Sequence, residues 1–99
     1  MVIIAFASYP PESAKEIGKR YVKLSPPPDF ITMEGPYMYS NGESGMQAAS
    51  LYKFDKSKAA EALQVAHDQH AVFFGVPGYQ YDIKVCAGAE RALKVSGVT

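Results

Sequence analysis

The first apolar run, Val2 to Ser8, is β-branched and aromatic with no polar break before Ser8. That pattern predicts a central strand, since a strand buried on both faces need not alternate. Pro10 and Pro11 stop it, because proline has no N–H for a ladder yet suits a first helical turn. From Glu12 the period changes. Ala14, Ile17, Tyr21 and Leu24 recur at helical spacing, with Lys15, Glu16, Lys19, Arg20 and Lys23 on the remaining faces. Glu12 and Glu16 sit early and the cations late, as the helix dipole favours. Gly18 weakens this helix and is expected to mark close packing. Ser25-Pro26-Pro27-Pro28 ends it in a stiff extended connector.

Phe30 to Tyr39 predicts a second strand, with Ile31, Met33, Tyr37 and Tyr39 on one parity and Thr32, Glu34 and Met38 on the other. Gly35-Pro36 within it signals a bulge, an edge or a break. Asn41-Gly42, inside the stretch Ser40 to Gly45, is a hairpin signal. Met46 to Phe54 forms the third strand. Asp55 is placed to cap a second helix carrying Ala59, Leu63, Ala66 and His70 on one stripe and running to Val72 or Phe74. Gly75-Val76-Pro77-Gly78 turns the chain. Tyr79 to Cys86 is the cleanest period-two segment, and Ala89 to Val95 is a short third helix with Ala89, Ala92, Leu93 and Val95 as its apolar residues.

The resulting order, β-α-β-β-α-β, predicts an α+β, ferredoxin-like domain over residues 1–99. Two right-handed crossovers would build a four-stranded antiparallel sheet with both helices on one face. The strands complicate that picture. Val2, Ile4 and Phe6 occupy one parity of the first strand, and Ile3, Ala5 and Ala7 the other. The third strand sets Met46, Ala48, Tyr52 and Phe54 against Ala49 and Leu51. A sheet apolar on both faces must bury both, and two helices cover one. A second copy packed sheet to sheet is the expected solution.

Charge and composition then remove whole classes of function. Ten Lys and Arg balance ten Asp and Glu, and pI ≈ 6.7 leaves no basic surface of the kind nucleic acid requires. The 12 aromatic and many aliphatic residues behind the 47% hydrophobic content are those of a folded core. One cysteine, Cys86, excludes an internal disulfide framework. The apolar start lacks a preceding cation and the length of a membrane span, so a cytosolic chain without a membrane partner is expected.

The element order, the doubly apolar sheet and the turn Phe74-Gly75-Val76-Pro77-Gly78-Tyr79 resemble the dimeric α/β-barrel superfamily over residues 1–86. That resemblance implies subunits paired through their sheets, each with a cleft between sheet and helices. Its families include cofactor-independent monooxygenases, lactone isomerases, hydrolase-like proteins with a His–Asp pair and sensory proteins. Patterns that need an early histidine are not met, because none precedes His67.

Reactive side chains concentrate in one place, His67-Asp68-Gln69-His70 near the end of the second helix. Histidines three apart share a helix face and can share a proton. A metal site would need a third ligand, for which Glu34, Glu43 and Asp82 are the candidates, so no metal and no cofactor are expected. Seven tyrosines are the second feature, each an apolar ring with one hydrogen-bonding tip. The chemical expectation is a small, aromatic metabolite in the cleft. His70 is the candidate acid or base, Glu34 a second carboxylate, and Tyr37, Tyr52, Tyr81 and His67 the ligand-binding set. The plainer alternatives are tyrosines that fill the core and dimer seam, histidines at a helix end, and a protein whose role is assembly.

Overall fold

Residues 1–41 and 45–97 are described by a computed structural model, with the side chains of Asn41 and Ala92 outside it. The expected turn residue Gly42 and the candidate ligand Glu43 lie outside the described residues. Four strands, β1 (Val2–Tyr9), β2 (Thr32–Asn41), β3 (Gly45–Lys53) and β4 (Gln80–Cys86), form one antiparallel sheet in the order β2-β3-β1-β4. Helix α1 (Ala14–Tyr21) joins β1 to β2 over β3, and α2 (Ala59–Ala71) joins β3 to β4 over β1. A short α3 (Ala89–Val95) follows, with Leu93 and Val95 exposed. Among the described residues no helix is long and apolar enough to cross a membrane.

Both long helices open with a 3₁₀ turn, Pro11–Ser13 before α1 and Lys56–Lys58 before α2. Asp55 caps the second as expected, its carboxylate accepting from the Ser57 N–H at 3.0 Å and the Ser57 hydroxyl at 2.6 Å. The α1 pattern outruns the helix. Regular structure stops at Tyr21, although Leu24 continues the apolar stripe.

Register decides which side chains meet. Ile3 opposes Tyr52 and Ala5 opposes Ser50, all four buried; Ile3, Ala5 and Tyr52 pack beneath α2 against Ala62 and Ala66, which are wholly inaccessible. With no side chain beyond Cβ, those two alanines bring the helix backbone close to β1, and Ile31 and Phe54 complete the cluster. A second cluster of Tyr9, Ile17, Phe73 and Val76 lies toward α1.

The parity expected for β2 is corrected here. The register shifts between Glu34 and Tyr37, at Gly35-Pro36. Met33 therefore shares the helix-side face with Met38, opposite Tyr52 and Ala48, while Tyr37 and Tyr39 join Thr32 and Glu34 on the other face. An extra residue in an edge strand moves everything after it to the opposite side. Gly35 is required there. Its φ is +92°, and a Cβ would stand 2.8 Å from the Ala49 carbonyl oxygen.

The face away from the helices carries Ile4 and Phe6 of β1, Ala49 and Leu51 of β3, and Tyr37 and Tyr39 of β2. Phe6 is 38% exposed, Tyr37 57% and Tyr39 45%. Two ion pairs flank this strip, Lys53–Glu34 at 2.6 Å and Lys84–Asp82 at 3.3 Å.

Candidate functional site

Between the sheet and α1 lies a cavity of about 350 Å³. Small side chains set its floor: Ala7 and Ala48 are cross-strand partners, and Ser50 follows two residues on. Ile17, Tyr21 and Leu24 form its roof, so the α1 stripe read from the sequence faces the cavity, with Ile17 also packed in the cluster that includes Tyr9 at the end of β1. Gly18 borders it too, and a Cβ built there meets nothing within 4 Å. The expected close packing at Gly18 is thus corrected to open space. Met33, Pro36 and Met38 close the β2 side, and Gln69, His70, Phe73 and Tyr79 the α2 side.

Polar bonds hold α1 in this position. The Ser13 hydroxyl donates to the Pro77 carbonyl at 2.6 Å, and Arg20 Nη1 donates to the Val72 and Phe74 carbonyls at 3.1 and 2.8 Å. The guanidinium thereby occupies acceptors at the C-terminal end of α2, where a cation is favoured.

His70 is buried, and its Nδ1 lies 2.7 Å from the Ala66 carbonyl oxygen. A carbonyl only accepts, so Nδ1 carries the proton and the neutral ring keeps its lone pair on Nε2. Burial lowers the His70 pKa most; the Ala66 carbonyl opposes that and the nearby His67 adds to it. The ring stacks on Tyr81 at 5.0 Å between centroids. Tyr81 also receives His67, whose Nδ1 is 3.1 Å from its hydroxyl, and packs 6.1 Å from Tyr79.

The tyrosine hydroxyls that reach this region are protonated. Tyr52 donates to Gln69 Oε1 at 2.8 Å, and burial pushes its pKa to about 12. Tyr79 is pushed higher still, first by burial and then by the neighbouring Tyr81 and Tyr52 phenols. Its hydroxyl is buried and, among the described residues, has no hydrogen-bond partner. A buried polar group without a partner is uncommon enough to require a reason.

The expected site residues therefore divide. His70 and Tyr52 line the cavity, and Tyr81 supports His70 from the side. His67 is exposed and, among the described residues, its ring meets the Tyr81 hydroxyl. Glu34 and Tyr37 lie on the other face of the sheet, Glu34 in its ion pair with Lys53, so neither meets His70. The cause is the β2 register. Asp68 accepts from Gln64 at 2.8 Å and forms no His–Asp pair. Among the described residues no three His, Cys, Asp or Glu groups converge as a metal site would need. Cys86 is a free, half-buried thiol whose nearest acceptor is the Lys84 carbonyl at 3.7 Å.

Sequence reasoning missed Met33, Met38, Gln69, Phe73 and Tyr79 as lining residues. Gln69 stood inside the His67–His70 run and Tyr79 began the clearest alternating strand. The methionines were hidden by the register shift. No family model and no curated protein matches the chain.

Proposed function

We propose that this chain is a ferredoxin-like βαββαβ domain that pairs sheet to sheet, as in a dimeric α/β barrel, and binds a small aromatic metabolite between its sheet and helices. The observation that carries the binding reading is the 350 Å³ cavity, apolar except at a few points and lined by the buried His70. Its size falls within the range of small-molecule sites, which are apolar with a few placed polar groups. The strand order, with both crossover helices on one face, supports the fold assignment. The strip of Ile4, Phe6, Leu51, Tyr37 and Tyr39 supports the pairing. A lone free thiol suits the reducing cytosol, where we place the protein.

A thermal-shift screen of hydroxy-aromatics, quinones and aromatic acids tests the binding reading. A binder should raise the melting temperature, and His70→Ala should shrink that rise. If no compound of these classes shifts the parent, the cavity is a packing gap and the binding reading is abandoned. Sedimentation tests the pairing separately. The parent should run near twice 10.8 kDa and Leu51→Asp near once, because a charge there must be buried unpaired in the seam.

One observation favours a second, catalytic reading. Neutral His70 presents Nε2 as a proton acceptor within the cavity, the arrangement a cofactor-independent monooxygenase or isomerase would use. Turnover of a bound compound without added cofactor, lost in His70→Gln, would establish it.

A further inference from the structure

We infer that the cavity selects an uncharged molecule bearing a hydroxyl group on an apolar ring framework, a neutral phenol being the simplest case. This rests on the binding reading above and narrows it. Among the described residues, no Lys, Arg, Asp or Glu lines the cavity. A carboxylate, phosphate or ammonium entering it would lose its water and find no counter-charge, a cost far above that of a satisfied neutral group.

The polar groups present are specific about what they lack. His70 has spent its Nδ1–H on the Ala66 carbonyl, so its remaining nitrogen can only accept. The Tyr79 hydroxyl is closed off from the cavity, so Tyr79 offers a ligand its ring and no hydrogen bond. The Tyr52 hydroxyl is engaged on Gln69. A ligand that satisfies His70 must therefore donate a hydrogen bond. A hydroxyl does so. An ether or ketone leaves His70 unmatched, and a carboxylate turns its charge on the His70 lone pair.

The walls agree with a ring framework. Ile17 and Leu24 on one side and Met33 and Met38 on the other supply apolar contact, the methionines with sulfur atoms suited to aromatic edges. Phe73 stands beside Tyr79, their ring centroids 5.2 Å apart, and adds an aromatic surface at the polar end.

Titration calorimetry at pH 7.5 with three probes on one skeleton, 2-naphthol, 2-naphthoate and 2-methoxynaphthalene, tests the inference. The parent should bind 2-naphthol about tenfold or more tighter than either of the others. His70→Phe, which keeps a flat ring against Tyr81 and removes the acceptor, should bind 2-naphthol about tenfold more weakly, whereas Tyr79→Phe should bind it as the parent does. Equal or tighter binding of 2-naphthoate overturns the selection for neutral ligands and leaves the cleft-binding reading standing. Equal binding of 2-methoxynaphthalene, or an unchanged 2-naphthol affinity in His70→Phe, overturns the role of the hydroxyl. Absence of heat and of thermal shift with all three probes removes both this inference and the reading beneath it.

Discussion

Helices α1 and α2 lie over the same face of the sheet, yet they meet it in different ways. Helix α2 presses Ala62 and Ala66 onto Ile3 and Ala5 until neither alanine is accessible. Helix α1 buries Ile17 alone and spans a cavity, tied at its ends through Ser13 and Arg20 to the segment that ends α2. Both helices follow apolar residues at helical spacing. What differs is the size of the groups at the contact. Alanine on α2 meets Ile3 and Tyr52 on the sheet, small against large, and fills the space. Beneath α1, Ala7, Ala48 and Ser50 are small as well, while hydrogen bonds fix the helix height. Room for a ligand arises where both partners are small and the spacing is set by something other than packing.

The largest effect expected from this contrast comes from enlarging one alanine on each helix. Ala66→Leu adds three carbons where nothing can yield, and should cost about 2–3 kcal/mol of stability. At this chain length that lowers the melting temperature by roughly 10 °C or more. Ala14→Leu makes the same change at an exposed position bordering the cavity and should fall within about 0.5 kcal/mol of the parent. Equal losses in two calorimetric melts would mean that α1 is packed as α2 is, and the cavity account would fall.

Much of this architecture was legible along the chain. The four strands and the two long helices follow from changes of apolar period, and Asp55 caps where its position suggests. The β2 faces were not legible, because Gly35-Pro36 is compatible with a bulge, an edge or a break alike. Only pairing with β3 fixes which residues change sides. That one shift separates Tyr37 from His70 and brings Met33 and Met38 together, while Glu34, ahead of it, faces away by alternation with Met33. The cavity was legible only in its roof. Ala14, Ile17, Tyr21 and Leu24 define a stripe, but whether a stripe rests on a sheet or stands above it depends on residues far away in sequence. His70 was placed correctly on the inner stripe of α2. Its Ala66 partner follows from the helix itself, a carbonyl four residues earlier.

A smaller effect of opposite sign distinguishes the helices at Gly18. Alanine there gains about 1 kcal/mol of helix preference, and its methyl group enters open space. Gly18→Ala should therefore raise the denaturation midpoint slightly with an unchanged slope. The same residue borders the proposed ligand space, so the gain should be accompanied by little or no loss of probe affinity. A destabilised Gly18→Ala would restore close packing at this point and contradict a helix that stands clear of its neighbours at Gly18.

The smallest effect is a pH dependence confined to the His70 side of the contrast. Burial holds the His70 pKa below the ordinary histidine value of 6.5. The unfolded chain therefore binds a proton on this ring more readily than the folded protein does, and stability must rise with pH across the interval between the two values. The contribution is fully present above about pH 6.5 and is lost as the pH falls through that interval, until the folded ring is protonated too. A proton on Nε2 would place a charge on the ring stacked against Tyr81 with no carboxylate, among the described residues, lining the cavity to receive it. Unfolding free energies measured by urea titration between pH 5 and 8 should decline toward the acid end in the parent. The decline should flatten in His70→Phe, which removes the titrating group and keeps a flat ring against Tyr81. It should persist in His67→Gln, whose histidine is exposed. An undiminished acid slope in His70→Phe would assign the titration to another group and with it remove the neutral, proton-accepting His70 from the site.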